Sequence, residues 1–375
     1  MNSFSMGLCP KKIGNIAMQN KIALVLVVML FGNLFSGEYK YDYRGEISLQ
    51  GGGYSLFEDR NFYGGARIIP FFEGQKNYSD GSYLKLQLSV DAFSSYNNKW
   101  KNELELYRST VSYQTLQTEI KVGLQKITFG PARYLRPLMW FDRINPTDPM
   151  QITKGVNAAL FRYYTMNNTN FWIWGLYQND ELKGMEARQT NPDRPEWGGR
   201  VQIPLMGGEV GFSFHNRELL ESRKQEHRFA LDGHYDVGIG LWFESSINLH
   251  KDQVDRKMVT IGSDYTFGIG NGLNVVGEYM PIEQSNGVLM SKPDEHLLAL
   301  SLSYPINIMD QVMYLTYYSE SMDKIFHYLQ YQRTYDRISA NISLFYFPDV
   351  GYDIFTGKKS RMSGFGAQAM VIYNF

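Results

Sequence analysis

The sequence predicts an all-β fold, a transmembrane antiparallel up-and-down β-barrel of about 18 strands (16–18) with a long third outer loop. Three observations carry this. Residues alternate between apolar and polar along a long series of short runs, the connections between runs alternate long and short, and the one long apolar run lies near the N-terminus. No segment shows a helical period of comparable strength.

The runs follow in order. The first, 41–50, sets Tyr41, Tyr43, Ile47 and Leu49 on one face and Asp42, Arg44, Glu46 and Ser48 on the other. After 62–73, the run 82–93 opposes Leu84, Leu86, Leu88 and Val90 to Lys85, Gln87, Ser89 and Asp91. Next come 103–113 and 118–129, the latter with Ile120, Val122 and Leu124 in step. Runs 156–165 and 169–178 bring aromatics such as Trp172 and Trp174 to strand ends, as an interfacial girdle requires. After 197–205, Val210, Phe212 and Phe214 alternate through 209–216. Run 226–235 precedes 239–250, which carries Leu241, Phe243, Ile247 and Leu249. Beyond 256–267 and 272–280, Leu298, Leu300, Leu302 and Tyr304 pattern 295–304. Runs 311–319 and 325–333 lead to 338–347, with Ile338, Ala340, Ile342, Leu344 and Tyr346 on one face. The last run, 364–375, aligns Phe365, Ala367, Ala369, Val371, Tyr373 and Phe375. Membrane-spanning strands need about 9–11 residues, and these lengths supply them.

Connections give an independent check. SSYNNKWKN, Pro131 to Gly155, NDELKGMEARQTNPDRPE, RELLESRKQ, IEQSNGVLMSKPD and PDVGYDIFTGKKSRMS are long, while QTLQ, MNNT, LMGG, DVG and PINIMD are short. Long outer loops and short periplasmic turns have that rhythm. EGQKNYSDG departs from it as a longer connection on the short-turn side, and LHKDQV and SESMDK as short outer loops. The glycine stretches Gly51–Gly53 and Gly268–Gly272 read as turns and strand ends, since neither opens a helix that could cradle phosphate. A soluble sandwich also alternates. The many charges on the polar faces and the Leu, Val and aromatic content of the apolar faces favour the membrane.

Targeting agrees. Lys11, Lys12 and Lys21 precede the apolar run Ile22–Phe31 and the small residues near Ser36 and Gly37, the pattern of a secretory signal peptide over 1–37. The barrel then occupies 38–375. Cys9, the sole cysteine, falls in the signal, so the mature chain has neither disulfides nor thiolate metal sites. Removing the signal shifts the net charge from −1 to −4, which argues against a nucleic-acid partner. No cofactor, metal or catalytic group is expected. Asp232 and His234 share a face in the manner of a hydrolase pair, but Ser245 falls on the lipid side with Phe243 and Ile247.

With the apolar faces toward lipid, the lumen receives Asp42, Arg44, Glu46, Arg67, Lys85, Asp91, Glu119 and Lys121 from the early strands. Strands 10 to 13 give it Arg228, Asp232, Glu244, Asp264 and Glu278. Arg44, Arg67, Lys85, Lys121, Asp232, Glu244, Asp264 and Glu278 are the expected pore wall. A bore of this width holds water. The stretch PARYLRPLMWFDRINPTDPMQITKG interrupts the alternation as the third outer loop. Prolines 131, 137, 146 and 149 stiffen it, and Leu135, Leu138, Met139, Trp140 and Phe141 give it apolar surface to pack. Arg133, Arg136, Asp142, Arg143, Asp148 and Lys154 are the expected pore constriction, with a local net charge of +2 facing the acidic wall of strands 10 to 13.

Two segments carry a resemblance. The stretch from Gly123 to Tyr164, with Gly123, Leu124, Gln125, Phe129, Gly130, Asn145, Pro146, Asp148 and Pro149 in place, resembles outer-membrane barrels of the porin-like, alginate-export-like type. Leu124 stands where that pattern carries Arg. The final run resembles the terminal strand by which Gram-negative outer-membrane proteins are recognised for insertion, with Tyr373 and Phe375 as the signal residues. The resemblance implies a monomeric or trimeric channel, not an enzyme, exported by the Sec route to a Gram-negative outer membrane. Its partners would be outer-membrane lipids, periplasmic chaperones, the barrel-assembly machinery and a small hydrophilic solute, anionic or saccharide. The alternative is a non-conducting scaffold or surface-binding barrel whose loops Asn179–Glu196 and Pro348–Ser363 meet a partner across a plugged lumen.

Overall fold

The computed structural model describes residues 38–56, 59–97, 99–251, 254–348 and 364–375. Eighteen strands follow one another along the chain. They are β1 (Glu38–Leu56), β2 (Asp59–Asn77), β3 (Tyr83–Asn97), β4 (Lys99–Gln114), β5 (Thr118–Gln125) and β6 (Val156–Tyr164). Next come β7 (Asn170–Leu176), β8 (Glu196–Leu205), β9 (Gly208–Glu218), β10 (Gln225–Asp236), β11 (Gly240–His250) and β12 (Arg256–Phe267). The last six are β13 (Leu273–Gln284), β14 (Glu295–Pro305), β15 (Asp310–Ser319), β16 (Lys324–Thr334), β17 (Ile338–Phe347) and β18 (Gly364–Asn374). Each pairs antiparallel with its neighbours in sequence, and β1 pairs with β18, so the sheet closes. Closure gives every strand a paired neighbour on both sides, as a sheet crossing hydrocarbon requires.

Every expected run forms a strand. The apolar faces point outward, with Leu49, Leu104, Ile173 and Ile261 among the exposed side chains, while Ser48, Ser112, Glu244 and Thr260 are buried inward. The seam joins Glu46 to Asn374 and Ser55 to Phe365, and Gly45 and Phe375 exchange two backbone hydrogen bonds of 3.0 Å. Tyr43 and Phe375 bring their rings to 5.6 Å beside it. One rim carries the tight turns together with the start of β1 and the end of β18; it is the turn rim, and the opposite end is the loop rim.

The lengths differ from expectation in the first quarter. β1 to β4 run 15 to 19 residues, longer than a span needs. The stretch SSYNNKWKN is therefore largely ladder rather than loop: Ser95 pairs with Lys101, Tyr96 with Trp100, and the last two rings lie 5.3 Å apart. EGQKNYSDG likewise continues β2 to Asn77 and closes in a tight turn, where Ser82 donates through N and Oγ to Asp80. That connection is thus short after all. Gly51–Gly53 lie inside β1, not at a turn, and close packing requires the glycine at 52. A Cβ on Gly52 would stand 2.6 Å from the Ala367 carbonyl oxygen and 2.7 Å from the Tyr63 hydroxyl. β5 stops at Gln125 instead of 129, where the chain turns inward. The expected signal over 1–37 and most of the Pro348–Ser363 loop lie outside the described residues.

Candidate functional site: the lumen and its inserted loop

Residues 126–155, between β5 and β6, leave the wall and cross the lumen. The far wall holds their backbone by two carboxylates. Glu278 on β13 accepts from the backbone N–H of Arg133 at 2.7 Å, Tyr134 at 2.9 Å and Leu135 at 2.6 Å, and from Trp242 Nε1 at 2.9 Å. Glu244 on β11 accepts from the N–H of Ala132 at 2.8 Å and of Leu138 at 3.1 Å. Charge-assisted bonds of this kind are about twice as strong as neutral ones. Thr260 Oγ1 adds a 2.7 Å donation to the Leu135 carbonyl.

The loop's apolar residues then have a place to go. Leu135 joins Met258, Met280, Leu315, Tyr317 and Tyr328 in a cluster on the inner wall. Leu138, Trp140 and Phe141 join Ile127, Phe129, Leu160 and Trp174 in a second. The return leg is fixed at two points: Tyr328 OH donates to the Thr147 carbonyl at 2.9 Å and Arg108 to the Thr153 carbonyl at 2.9 Å. Asn145 Oδ1 accepts from Thr147 N at 3.0 Å and Asp148 Oδ1 from Met150 N at 3.0 Å, so Asn-Pro-Thr-Asp-Pro forms two side-chain-capped turns at the tip.

A second loop, 177–195 between β7 and β8, packs behind the first. Met185 N donates to the Met139 carbonyl at 2.8 Å and Arg143 Nε to the Gly184 carbonyl at 2.7 Å. Gly184 sits at φ +44°, and a Cβ there would overlap the Met139 carbonyl oxygen. The loop is tied to the wall by a buried ionic network: Lys183 to Glu196 at 3.1 Å, Arg217 to Glu186 at 3.0 Å, and Arg228 to Glu186 at 3.1 Å. Glu226 closes it, 2.6 Å from Arg217 and 2.7 Å from Arg228. The sequence marks this segment as a long outer loop, and only the alternative reading, a non-conducting barrel, has it meet a partner. Its dense charges carried a signal, but which strands they pair with is a matter of tertiary structure.

No family model and no curated protein matches the sequence. Solved structures do match in fold. OccAB1 of Acinetobacter baumannii aligns at a TM-score of 0.58 with 8% identity, over 89% of this chain and 96% of its own. OpdQ of Pseudomonas aeruginosa gives 0.58 and 8%, over 91% and 99%. OmpT, an outer membrane protein of Vibrio cholerae in its trimer form, gives 0.50 and 11%, over 90% and 99%. The fold is that of the outer-membrane porins. At these identities the likeness concerns architecture alone.

The porin-type lumen brings the anticipated residues together unevenly. Arg133 meets Asp264 at 2.7 Å with its guanidinium 5.1 Å from the centre of the Trp242 ring. Arg136 and Asp142 are buried against each other at 3.7 Å, and Thr128 Oγ1 donates to Asp142 at 2.7 Å. Arg143 faces the second loop, and Lys154 bridges Glu105 at 3.0 Å and Glu181 at 2.9 Å near the loop rim. On the wall, Asp232 is consumed by Arg200 at 2.6 Å. The acidic side is therefore mostly spoken for: Glu244 and Glu278 are loop anchors rather than free charges. Ser245 is not brought to Asp232 and His234, since it pairs with outward Leu231.

The early strands differ. Arg44 pairs with Asp42 and lies 3.8 Å from Glu73, Lys85 lies 3.0 Å from Glu73, and Arg67 lies 3.1 Å from Asp91. Asp42 and Arg44 side chains are 55% and 54% exposed and those of Arg67 and Lys85 22% and 23%, against 5% for Asp232, so charged groups of β1 to β3 are open to water. Lys121 sits in a cross-strand row with Lys85 and Ser112 and, among the described residues, has no carboxylate within ion-pair distance. Arg108, missed in the sequence, is its neighbour, with contacts to the carbonyls of Tyr107 and Thr153; strict alternation puts it on the outward face of Leu104 and Leu106, and the bulge opposite Ser89 and Val90 turns it inward.

Proposed function

We propose that the protein is an outer-membrane channel through which small hydrophilic solutes diffuse passively, with a weak preference for anions. The observation that carries this is a lumen divided in two: loops held against β7 to β16 on one side, and on the other charged groups along β1 to β5, those of β1 to β3 open to water. The path runs between the loop tip at Asn145–Thr153 and that charged wall. Asp148 and Lys154 of the loop border it, with Arg44, Arg67, Lys85 and Lys121 opposite, whereas Arg136 and Asp142 shape the loop from within. Lys121 and Arg108, on that wall, have no carboxylate within ion-pair distance among the described residues, and they set the sign of the preference. The turn rim is assigned to the periplasm, and export by the signal over 1–37 and insertion through Tyr373 and Phe375 complete the reading. The trimer form of the fold neighbour OmpT supports a homo-oligomer. The alginate-export-like subtype rests on the Gly123–Tyr164 segment, whose tip turns require no particular cargo, so the general function is adopted.

Planar-bilayer recording tests it. Purified protein is expected to conduct KCl and to show a reversal potential displaced toward the anion side in a salt gradient. Lys121→Glu should move that potential toward cations. A protein that conducts no ions would remove the channel reading and leave the non-conducting scaffold.

A further inference from the structure

Beneath the third loop, reaching the tip residues Asp148 and Gln151 that border the ion path, lies a cavity of about 600 Å3, so a solute held there narrows the path. Its size falls in the ~300–1,000 Å3 range of small-molecule sites. The loop roofs it with Arg133, Tyr134, Arg136, Asp148 and Gln151, and the barrel walls it with Gln311, Met313, Gln330 and Gln332. These wall residues lie near the turn rim of β15 and β16, below the apolar cluster of Leu135, Leu315 and Tyr328. The cavity thus lies toward the turn rim.

Its electrostatics are unlike those of the rest of the lumen. Both roof arginines are already neutralised, Arg133 by Asp264 at 2.7 Å and Arg136 by Asp142 at 3.7 Å. The remaining charge, Asp148, is an anion held by Met150 N at 3.0 Å and Ile152 N at 3.3 Å. An incoming carboxylate would meet no spare cation and one like charge. The wall offers amides, each presenting both N–H donors and a C=O acceptor. Gln311 uses one N–H on Ser303 at 2.6 Å and Gln332 one on Thr334 at 3.1 Å. Gln330 donates one N–H to Asn341 at 2.8 Å, and its Oε1 lies 3.3 Å from Tyr328 OH. Donors and acceptors in near-equal supply without free charge suit a ligand whose every group does both, as hydroxyls do. Met313 and Tyr134 add apolar surface for a sugar's C–H face.

We propose that the cavity walled by Gln311, Gln330 and Gln332 beneath the third loop binds a neutral polyhydroxylated solute, a mono- or disaccharide. The proposal rests on the channel reading for its route but not for its chemistry. The experiment measures block of KCl current by maltose and by gluconate, a hydroxylated carboxylate, each added on the turn-rim side. Maltose should reduce the current in a saturable manner and gluconate should need about tenfold more. Gln330→Leu combined with Gln332→Leu should weaken maltose block about tenfold, the loss expected for about one net hydrogen bond, and leave KCl conductance unchanged. Gln332→Met, nearly isosteric and partly exposed, serves if the double variant does not fold, and should weaken block severalfold. Gluconate block equal to or stronger than that of maltose, no block by maltose, or maltose block unchanged in the variants would overturn the proposal. Were the protein not to conduct, the channel reading would fail separately, and a saturable change in tryptophan emission with maltose, absent with gluconate, would decide the cavity in detergent.

Discussion

At the scale of single residues, one carboxylate does most to keep the loop inside. Glu278 is 3% exposed and receives four N–H groups, three of them from consecutive loop residues. Glu278→Gln removes the charge and turns a donor toward donors. A loss of about 2 kcal/mol of anchoring is expected, read as roughly 30-fold faster protease cleavage within 131–155, with the strands still resistant; unchanged cleavage would refute the anchoring role. Lys154 works at the loop's other end. Burial of its stem pulls the ammonium down, but hydrogen bonds and charges from Glu181 and Glu105 outweigh that and hold it above its ordinary value. A raised folded value means that the stabilisation is complete below about pH 10.4, the ordinary lysine value, and fades as pH rises past the folded one. Loop cleavage should therefore be flat from neutral pH to about 10 and rise above it, and Lys154→Met should abolish the step. The sequence offered Arg133, Arg136 and Arg143 as equals. Only contact with Asp264, Asp142 and Gly184 separates their roles, and such contacts join residues far apart in the chain.

At the scale of elements, strand period was legible throughout because one face meets lipid and the other water, which leaves its imprint at every second residue. Lengths were less legible. The ladder of β3 and β4 continues through Ser94, Asn97, Lys99 and Lys101, polar residues that pattern reading assigns to a loop, because a strand standing above the bilayer no longer needs an apolar outer face. Ile173, in the middle of the seven-residue β7, and Trp100, at the tip of β4, are both exposed, at 61% and 69%. Their surroundings differ. Ile173→Arg should cost about 2–4 kcal/mol in unfolding experiments from lipid vesicles, and Trp100→Arg about 0–1. Equal costs would show that the tall hairpin of β3 and β4 does not rise out of the hydrocarbon.

At the scale of the whole molecule, closure and up-and-down order followed from counting runs, whereas the filling of the lumen did not. The acidic faces of β10 to β13 looked like an open wall in sequence; in the fold Glu244 of β11 and Glu278 of β13 accept backbone N–H groups that a proline-rich, inward-turned loop cannot pair with itself. The pairings also set an order of events. Glu244 and Glu278 follow their loop partners by 106 to 145 positions, and the ladder between β1 and β18 spans nearly the whole chain. Segments joined over such separations come together late, because the entropy of the intervening chain must be surrendered first. The crossing segment is synthesised before the strands that grip it, so its route through the bore is settled only as the cylinder is completed around it.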